Sequence, residues 1–430
     1  MALKETHAVS VGRTGALRNR NFLLLWVGNG TSLMGIFGAR ICYPILALDI
    51  SGSAVLAGWT TFAASVPNLL FLPHAGVFAD YSDRRRTMLS FQLLGAAMSA
   101  VLTVWVVISG PSLPAVLVVV ALIEGTAFAY FSLAEVAAIR DLVPKDQYLA
   151  AFSLYEAEKP VAILMGRVFG AGLLGVARWA PFAGNLASYA VSIGSVSAMR
   201  GDFSPVASES TSRRESFWSR TREGISWVHR SRFLETSTIA TAAANVLFQI
   251  TILLLIVRSH QEGRPAWVVG FVLSSAGVGG VIGAALAPRL TKAFAPGPVF
   301  VAGLWAWALA LTPMALTSYP IVMAVCWFAV GAVGTVVSVV NTLNRIEAAP
   351  PEAVGRVVGL ASLITDGAVP VGAALGGYVL ATWGTQTIAW LLPIGLAVLA
   401  LSGGAALRYT HAPSSAEMKS SSGVPVESLN

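Results

Sequence analysis

Charge is what this chain has little of. Asp, Glu, Lys and Arg make up 11% of its 430 residues, where a soluble protein carries roughly 25%. So few charges cannot cover a water-exposed surface. With 55% apolar residues and a mean hydropathy of +0.71, the chain reads as an integral membrane protein. Cysteine is nearly absent too: Cys42 and Cys326 stand far apart in apolar runs, which excludes a disulfide framework and zinc-type spacing. No G-x-x-x-x-G-K-[ST] stretch occurs, so the chain has no phosphate-cradling loop with which to use ATP. It carries no cofactor or metal signature. The net charge of +7 would suggest nucleic acid in a soluble domain. In a membrane chain it points to basic loops facing an anionic leaflet, and no nucleic-acid partner is expected.

What is present in quantity is the long apolar run. A membrane-crossing helix needs about 20 mostly apolar residues. Runs of that kind fall near 22–48, 54–78, 88–109, 115–138, 149–176 and 180–199, and again near 235–257, 266–288, 298–317, 320–343, 357–382 and 386–407. The first is too long for a cleaved leader and reads as a span. The expected architecture is all-α: an amino tail (1–21), a six-helix bundle (22–199), a polar central loop (200–234), a second six-helix bundle (235–408) and a Ser-rich tail (409–430). The stretch 218–233 suits either a basic amphipathic helix lying on the membrane or a plain linker. Twelve spans put both termini on one side. With that side taken as inside, the loops and tails carry 22 Lys and Arg inside against 3 outside, Arg178, Arg258 and Arg264. The positive-inside rule then makes both termini cytoplasmic.

The two halves echo each other. Gly125, Ser132, Arg140, Pro144 and Asp146, followed by Ser153 and Pro160, recur at similar spacings as Gly331, Ser338, Arg345, Pro350 and Glu352, followed by Ser362 and Pro370. A parallel repeat of six spans suits two pseudo-symmetric bundles around a central path.

The loop after the second span reads GVFADYSDRRR, Gly76 to Arg86. It resembles the G-x-L-A-D-x-x-G-R-[RK] signature of the major facilitator superfamily, placing Gly76, Asp80, Arg84 and Arg85 on the family's positions, with Asp83 at the second glycine. The resemblance implies a gate: Gly76 permits close helix approach, Asp80 caps a neighbouring helix, and Arg84 bridges to acid across the two halves. Gly38-Ala39-Arg40, Ser51-Gly52-Ser53, Leu72-Pro73, Asp141-Leu142-Val143-Pro144 and Gly355-Arg356 further resemble the bacterial drug and siderophore (macrolide-efflux-like) exporters of that superfamily. Two departures stand out. The fifth span has Arg167 where the antiporter motif G-P-x-x-G-G has proline. The fourth has Ala121, then Glu124-Gly125, where many proton-linked exporters place an arginine.

Ionisable groups at bilayer depth are costly and usually face a cavity or a partner. At 1.5 Å per residue, Arg40, Glu124 and Arg167 lie about 8, 4 and 7 Å outward of their spans' midpoints, in one layer. In this layer Glu124 is expected to alternate between pairing with arginine and binding a proton while an arginine anchors an anionic or zwitterionic part of the substrate; snorkelling of Arg40 and a structural pair for Glu124 are the plain alternatives. Asn29, Ser32, Ile36 and Arg40 form one helical stripe; Glu124, Phe128, Phe131 and Glu135 another; Thr238, Thr241, Asn245 and Gln249 a third. A cavity with aromatic walls and few polar anchors suits a mid-sized amphipathic solute. Nearer the inside, Glu156 and Lys159 are spaced as a self-neutralising pair, with Glu158 pointing elsewhere. His74 and Asp366 lie on spans that adjoin in this family, and are candidates for a proton-sensitive inner pair.

The expected function is secondary transport: export of a drug-like or secondary-metabolite small molecule by alternating access coupled to a proton or other ion gradient, in the cell membrane, by a monomer as the family implies. The alternatives are import of a small organic anion on the same fold, and an intramembrane acyl-transfer enzyme, for which His74 with Asp80 is a poor constellation.

Overall fold

In a bilayer every backbone N–H and C=O has to be satisfied within the protein, and a helix does this residue by residue. The long apolar runs are accordingly helical in the computed structural model, which describes residues 17–108, 113–200, 225–347 and 353–408, without the side chains of 72–81, 145 and 408. The first half comprises α1 (Arg20–Ser51), α2 (Ala54–Tyr81), α3 (Arg84–Ile108), α4 (Ala115–Leu142), α5 (Tyr148–Val176) and α6 (Ala180–Ala198). The second comprises α7 (Arg232–Gln261), α8 (Ala266–Ala293), α9 (Pro296–Leu316) and α10 (Pro320–Glu347). The last stretch, Val354–Arg408, is two helices broken at Gly384 (φ 76°, ψ 162°). They are α11 (354–383) and α12 (385–408). Gly384 adopts a positive φ that an L side chain resists, so the helix turns back there.

Local chemistry sets several ends. The Asn19 side chain accepts from the Asn21 and Phe22 amides and starts α1, and Gly52, at φ 66°, closes it. Ser231 caps α7 through the Leu234 amide. α6 is the shortest and most polar of the first half, because Asn185, Ser188 and Ser192 are buried and bond inside the bundle rather than facing lipid. Conversely, the sides of α3, α8, α9 and α12 carry exposed Val107, Val281, Leu309 and Val398, which suit a lipid surround.

Each half packs into a six-helix bundle, α1 on α5 and α6 and α2 on α4 in the first, α7 on α11 and α8 on α10 in the second. The halves meet mainly through α2 against α11 and α5 against α8. Backbone approach at this seam is close. A Cβ on Gly58 would sit 2.6 Å from the Ala373 carbonyl oxygen, and one on Gly377 would sit 2.7 Å from that of Ala54. Beside it the Trp59 indole donates to the Tyr378 hydroxyl at 3.1 Å, and the His260 Nδ1 of α7 meets the Asp49 carboxylate of α1 at 3.0 Å. These contacts share the end of the molecule carrying the α1–α2 and α7–α8 turns, called here the far end. The opposite, basic end carries the α2–α3 and α4–α5 loops.

Within the first half, Gly166 and Gly170 of α5 lie on Gly38 of α1, where a Cβ on Gly166 would come 2.5 Å from the Met34 carbonyl oxygen. The two glycines that α5 shares with the antiporter motif thus let α1 and α5 touch along their backbones.

Candidate substrate site

The seam between the bundles encloses a cavity of about 160 Å³. Phe37, Arg40 and Pro44 of α1 line it, with Thr61 and Ser65 of α2, Arg167 of α5, Gln249 and Ile252 of α7, Leu273 of α8 and Val369 of α11. Its walls are apolar apart from a few anchors, and two of those anchors are arginines. The Arg40 guanidinium lies over the Phe128 ring at 4.6 Å and the Phe37 ring at 5.5 Å, while those rings meet edge to face at 6.4 Å. A cation held by two ring faces keeps its donors free, and the buried Nη2 of Arg40 has no hydrogen-bond partner. Arg167 reaches across the seam and donates from Nη1 to the Leu273 carbonyl at 3.4 Å. Among the described residues neither arginine forms an ion pair.

Glu124 is placed differently from Arg40, although it lies within its electrostatic reach. It is 5% exposed and looks into its own bundle. Tyr43 Oη of α1 donates to its Oε2 at 2.6 Å, Ser99 Oγ of α3 to its Oε1 at 2.5 Å, and Asn185 Nδ2 of α6 to Oε1 at 3.3 Å. Asn185 also donates to Ser99 Oγ at 2.8 Å. Three donors from three helices cage the carboxyl and bind the helices together.

The stripes read from the sequence divide on folding. Of the α1 stripe only Arg40 reaches the cavity: Ser32 is within hydrogen-bonding distance of Gln92 on α3, at 3.3 Å, and Asn29 is buried in the bundle. On α4, Phe128 stays beside Arg40, but Phe131 packs into a core with Phe22, Leu25 and Met88, and Glu135 is buried below it. On α7, Gln249 lines the cavity, Asn245 donates to the Thr365 carbonyl of α11 at 2.8 Å, and Thr241 accepts from Asn341 of α10 at 3.1 Å. The helical period shows which residues share a face. Which neighbour that face meets depends on packing.

At the basic end, Arg84 ion-pairs with Asp141 at the end of α4, in its own half rather than across the two halves. Arg85 donates from Nε to the Val196 carbonyl at 3.1 Å and also reaches the Ser197 carbonyl at the end of α6. The α2–α3 loop thus ties three helix ends of one bundle, and Asp141, which the sequence reading met only within the exporter-like Asp-Leu-Val-Pro run, is its partner. The side chains of His74, Gly76 and Asp80 lie outside the described residues. Asp366 is exposed within about 4 Å of the middle of α11 at 1.5 Å per residue. It is within electrostatic reach of Lys159, exposed on α5 across the seam, and of Arg345 on α10. Exposed charges at that depth require a hydrated gap between the bundles on the basic side of the cavity.

Two helical bundles closing around a small, sparsely polar cavity, with arginines at bilayer depth lining their seam, have the build of a membrane solute transporter. The sequence profile described as transmembrane secretion effector, a family of the major facilitator superfamily, matches residues 12–430. The chain belongs to that family, whose members are transporters and not enzymes. It is 26% identical to the multidrug efflux pump Tap of Mycolicibacterium fortuitum over 363 residues, 81% of this chain and 85% of that one. It is also 26% identical to Tap of Mycobacterium tuberculosis over 391 residues, 84% and 88% of the two chains. Among solved structures it superposes on the nucleoside transporter NupG with a TM-score of 0.72 at 13% identity, covering 90% of this chain and 99% of that one. A bacterial homologue of the iron transporter ferroportin, in an inward-facing state, gives 0.65 at 14% identity over 89% and 98%. At such identities these structures share the fold alone.

Proposed function

We propose that this protein is a secondary active exporter of the cell membrane, moving a small drug-like or metabolite-like molecule that bears an anionic group, by alternating access against a proton gradient. The observation that carries the reading is the pair Arg40 and Arg167, which converge on the inter-bundle cavity with no acid ion-paired to either among the described residues. Arginine keeps its charge in such a site, so the positive excess is available to a ligand carboxylate, sulfonate or phosphate. Phe37 and Phe128 offer flat apolar surface beside it, and Gln249 a neutral anchor. Glu124, caged within the bundle, lies within electrostatic reach of Arg40 without entering the cavity.

Export rather than import follows the Tap pumps, which carry that role in their names. The excess of basic residues in the loops of one end, 22 against 3, puts that end and both termini in the cytoplasm and the far end outside. The α2–α3 loop, with Gly76, Asp80, Arg84 and Arg85, acts as the cytoplasmic gate, its Arg84–Asp141 pair moving with α4. The fold contains its whole path in one chain, so a monomer suffices.

Cells loaded with the anionic dye carboxyfluorescein through its diacetate ester test the anion reading, with the cationic dye ethidium as comparison. Expression should lower retained carboxyfluorescein, and a protonophore should restore it. Arg40→Gln and Arg167→Gln should each slow its efflux about tenfold, the loss of one charge-assisted contact of roughly 1.5 kcal/mol, and affect ethidium less. Wild-type carboxyfluorescein efflux from both variants at matched expression would remove the arginines from the site.

A further inference from the structure

A cluster of buried polar groups in the first bundle takes no part in the described ion pairs or the cavity. Glu158 of α5 is 8% exposed, and both its carboxyl oxygens are buried without a hydrogen-bond partner. It points into α1, where a Cβ on Gly30 would lie 2.6 Å from Oε1, so the glycine leaves room for the carboxyl. Asn29 beside it is 2% exposed with both amide atoms unpartnered, and its side chain is directed at the same carboxyl. Glu135 of α4, also 2% exposed, lies within electrostatic range of Glu158. Around the pair stand Asn29 and Gly30 from α1, Glu135 from α4, and Tyr155, Glu156 and Lys159 on α5 itself. Among the described residues no lysine or arginine acts on either carboxyl.

We propose that Glu158 and Glu135, with Asn29, form a proton-binding site that is separate from the substrate cavity and exchanges one proton in each transport cycle. Two carboxylates buried together without a cation repel one another and lose their hydration, so the site holds a proton between them as a carboxylic acid beside a carboxylate. A partnerless amide with both a donor and an acceptor can serve either protonation state: Nδ2 donates to the carboxylate, Oδ1 accepts from the acid. Glu124, by contrast, already has three hydrogen-bond donors around its carboxyl.

The position links the site to the seam. Glu158 precedes Lys159, whose ammonium faces the gap between the bundles and feels Asp366 of α11. Pro160 follows in the same helix and lacks the amide that would bond the Glu156 carbonyl, which loosens this turn of α5. The site thus sits on a helix that packs against α8 across the seam, at a turn the proline leaves free to adjust as the bundles move. This deepens the proton-driven reading above and rests on it for the word cycle, but the site itself can be tested without transport.

Infrared difference spectra of the purified protein in detergent, taken across a pH titration, read the site directly. The wild type should show a protonated-carboxyl band that changes with pH. Glu158→Gln should remove it, Glu135→Gln should remove or shift it, and Glu124→Gln should leave it in place. Both Gln variants keep the side-chain shape, and a size-exclusion profile checks that they fold. In proteoliposomes, a gradient of one pH unit supports about tenfold accumulation per proton exchanged, read as carboxyfluorescein recovered at a fixed pH. Glu158→Gln should reduce that accumulation to none, and Glu158→Asp should restore part of it. A band unchanged in both Glu158→Gln and Glu135→Gln overturns the site, as does full accumulation by Glu158→Gln. A wild type that accumulates nothing, but whose band responds as described, would instead sink the exporter reading and leave the proton site standing.

Discussion

Adding one methyl group at Gly58 should open the far end. In the structure a Cβ there would lie 2.6 Å from the Ala373 carbonyl oxygen and 3.1 Å from the Gly377 backbone, closer than side-chain atoms pack without something moving. The obstacle is backbone on both sides, so no rotamer can relieve it. Overpacking of this kind costs about 1–3 kcal/mol. The cost falls only on the state in which α2 and α11 are pressed together at the far end, because separating the bundles there removes the clash. A state-selective penalty is a population shift, here about 5- to 150-fold away from far-end-closed. The reporter is a cysteine at Ser65, which lines the cavity on the same helix, labelled in whole cells by a maleimide that does not cross membranes. The native Cys42 and Cys326 are buried and serve as the background. Gly58→Ala should raise labelling from outside about tenfold or more, within that range. Labelling unchanged, with normal expression and a normal size-exclusion profile, would mean that the seam absorbs the methyl group and does not hold the far end shut.

Three further expectations are smaller or differ in kind. Asp49→Asn and His260→Ala remove the partly exposed ion pair between α1 and α7 and should shift the same labelling in the same direction, but by no more than about fivefold, since exposed pairs contribute up to about 1 kcal/mol; a larger effect than that of Gly58→Ala would reverse the ranking of the two contacts. Glu124→Leu leaves Tyr43, Ser99 and Asn185 without their shared acceptor, at about 1–3 kcal/mol per orphaned group, so Tm in detergent should fall clearly, whereas Arg40→Gln should impair transport more than it lowers Tm. Asp80→Asn and Arg84→Ala should leave membrane insertion and yield near normal while slowing transport severely, and Asp141→Asn should resemble Arg84→Ala because the two share one ion pair; normal efflux from all three would remove the gate role.

The candidate site was only partly legible in the sequence. Arg40, Arg167 and Gln249 could be found because charge or amide at bilayer depth is rare and costly, so each one stands out against the apolar background. The depth arithmetic that put Arg40, Glu124 and Arg167 in one layer concerns distance along the helix axis alone. It carries no information on rotation about that axis, and rotation separates Glu124, turned to α3 and α6, from the two arginines turned to the seam. Phe131 and Asn29 sit on stripes of the right period and still end in the bundle interior, because every helix of a six-helix bundle has polar residues facing its neighbours as well as the path. Tyr43, Ser99 and Asn185 carried no signal of their own: single hydroxyls and amides are common in membrane helices, and only their convergence on one carboxyl makes them a cage.

What the sequence by itself determined is the solvent, the element type and the class. Lipid cannot satisfy backbone polar groups, so twenty-residue apolar runs have one stable form, and their number, with the G-x-x-A-D loop of Gly76 to Arg86, was enough to point to a facilitator-type transporter. Tertiary structure alone decided which face of each helix looks into the path, that Arg84 pairs within its own half, that the far end is held by Gly58, Gly377 and the Asp49–His260 contact, and that Glu158 turns in against Gly30 of α1 rather than to lipid. The physical reason is that helix formation in a membrane is local and dictated by burial of the backbone. The rotation and seam of each helix are instead settled by which small residues let two backbones touch, a condition that involves both partners at once and is written in neither segment alone.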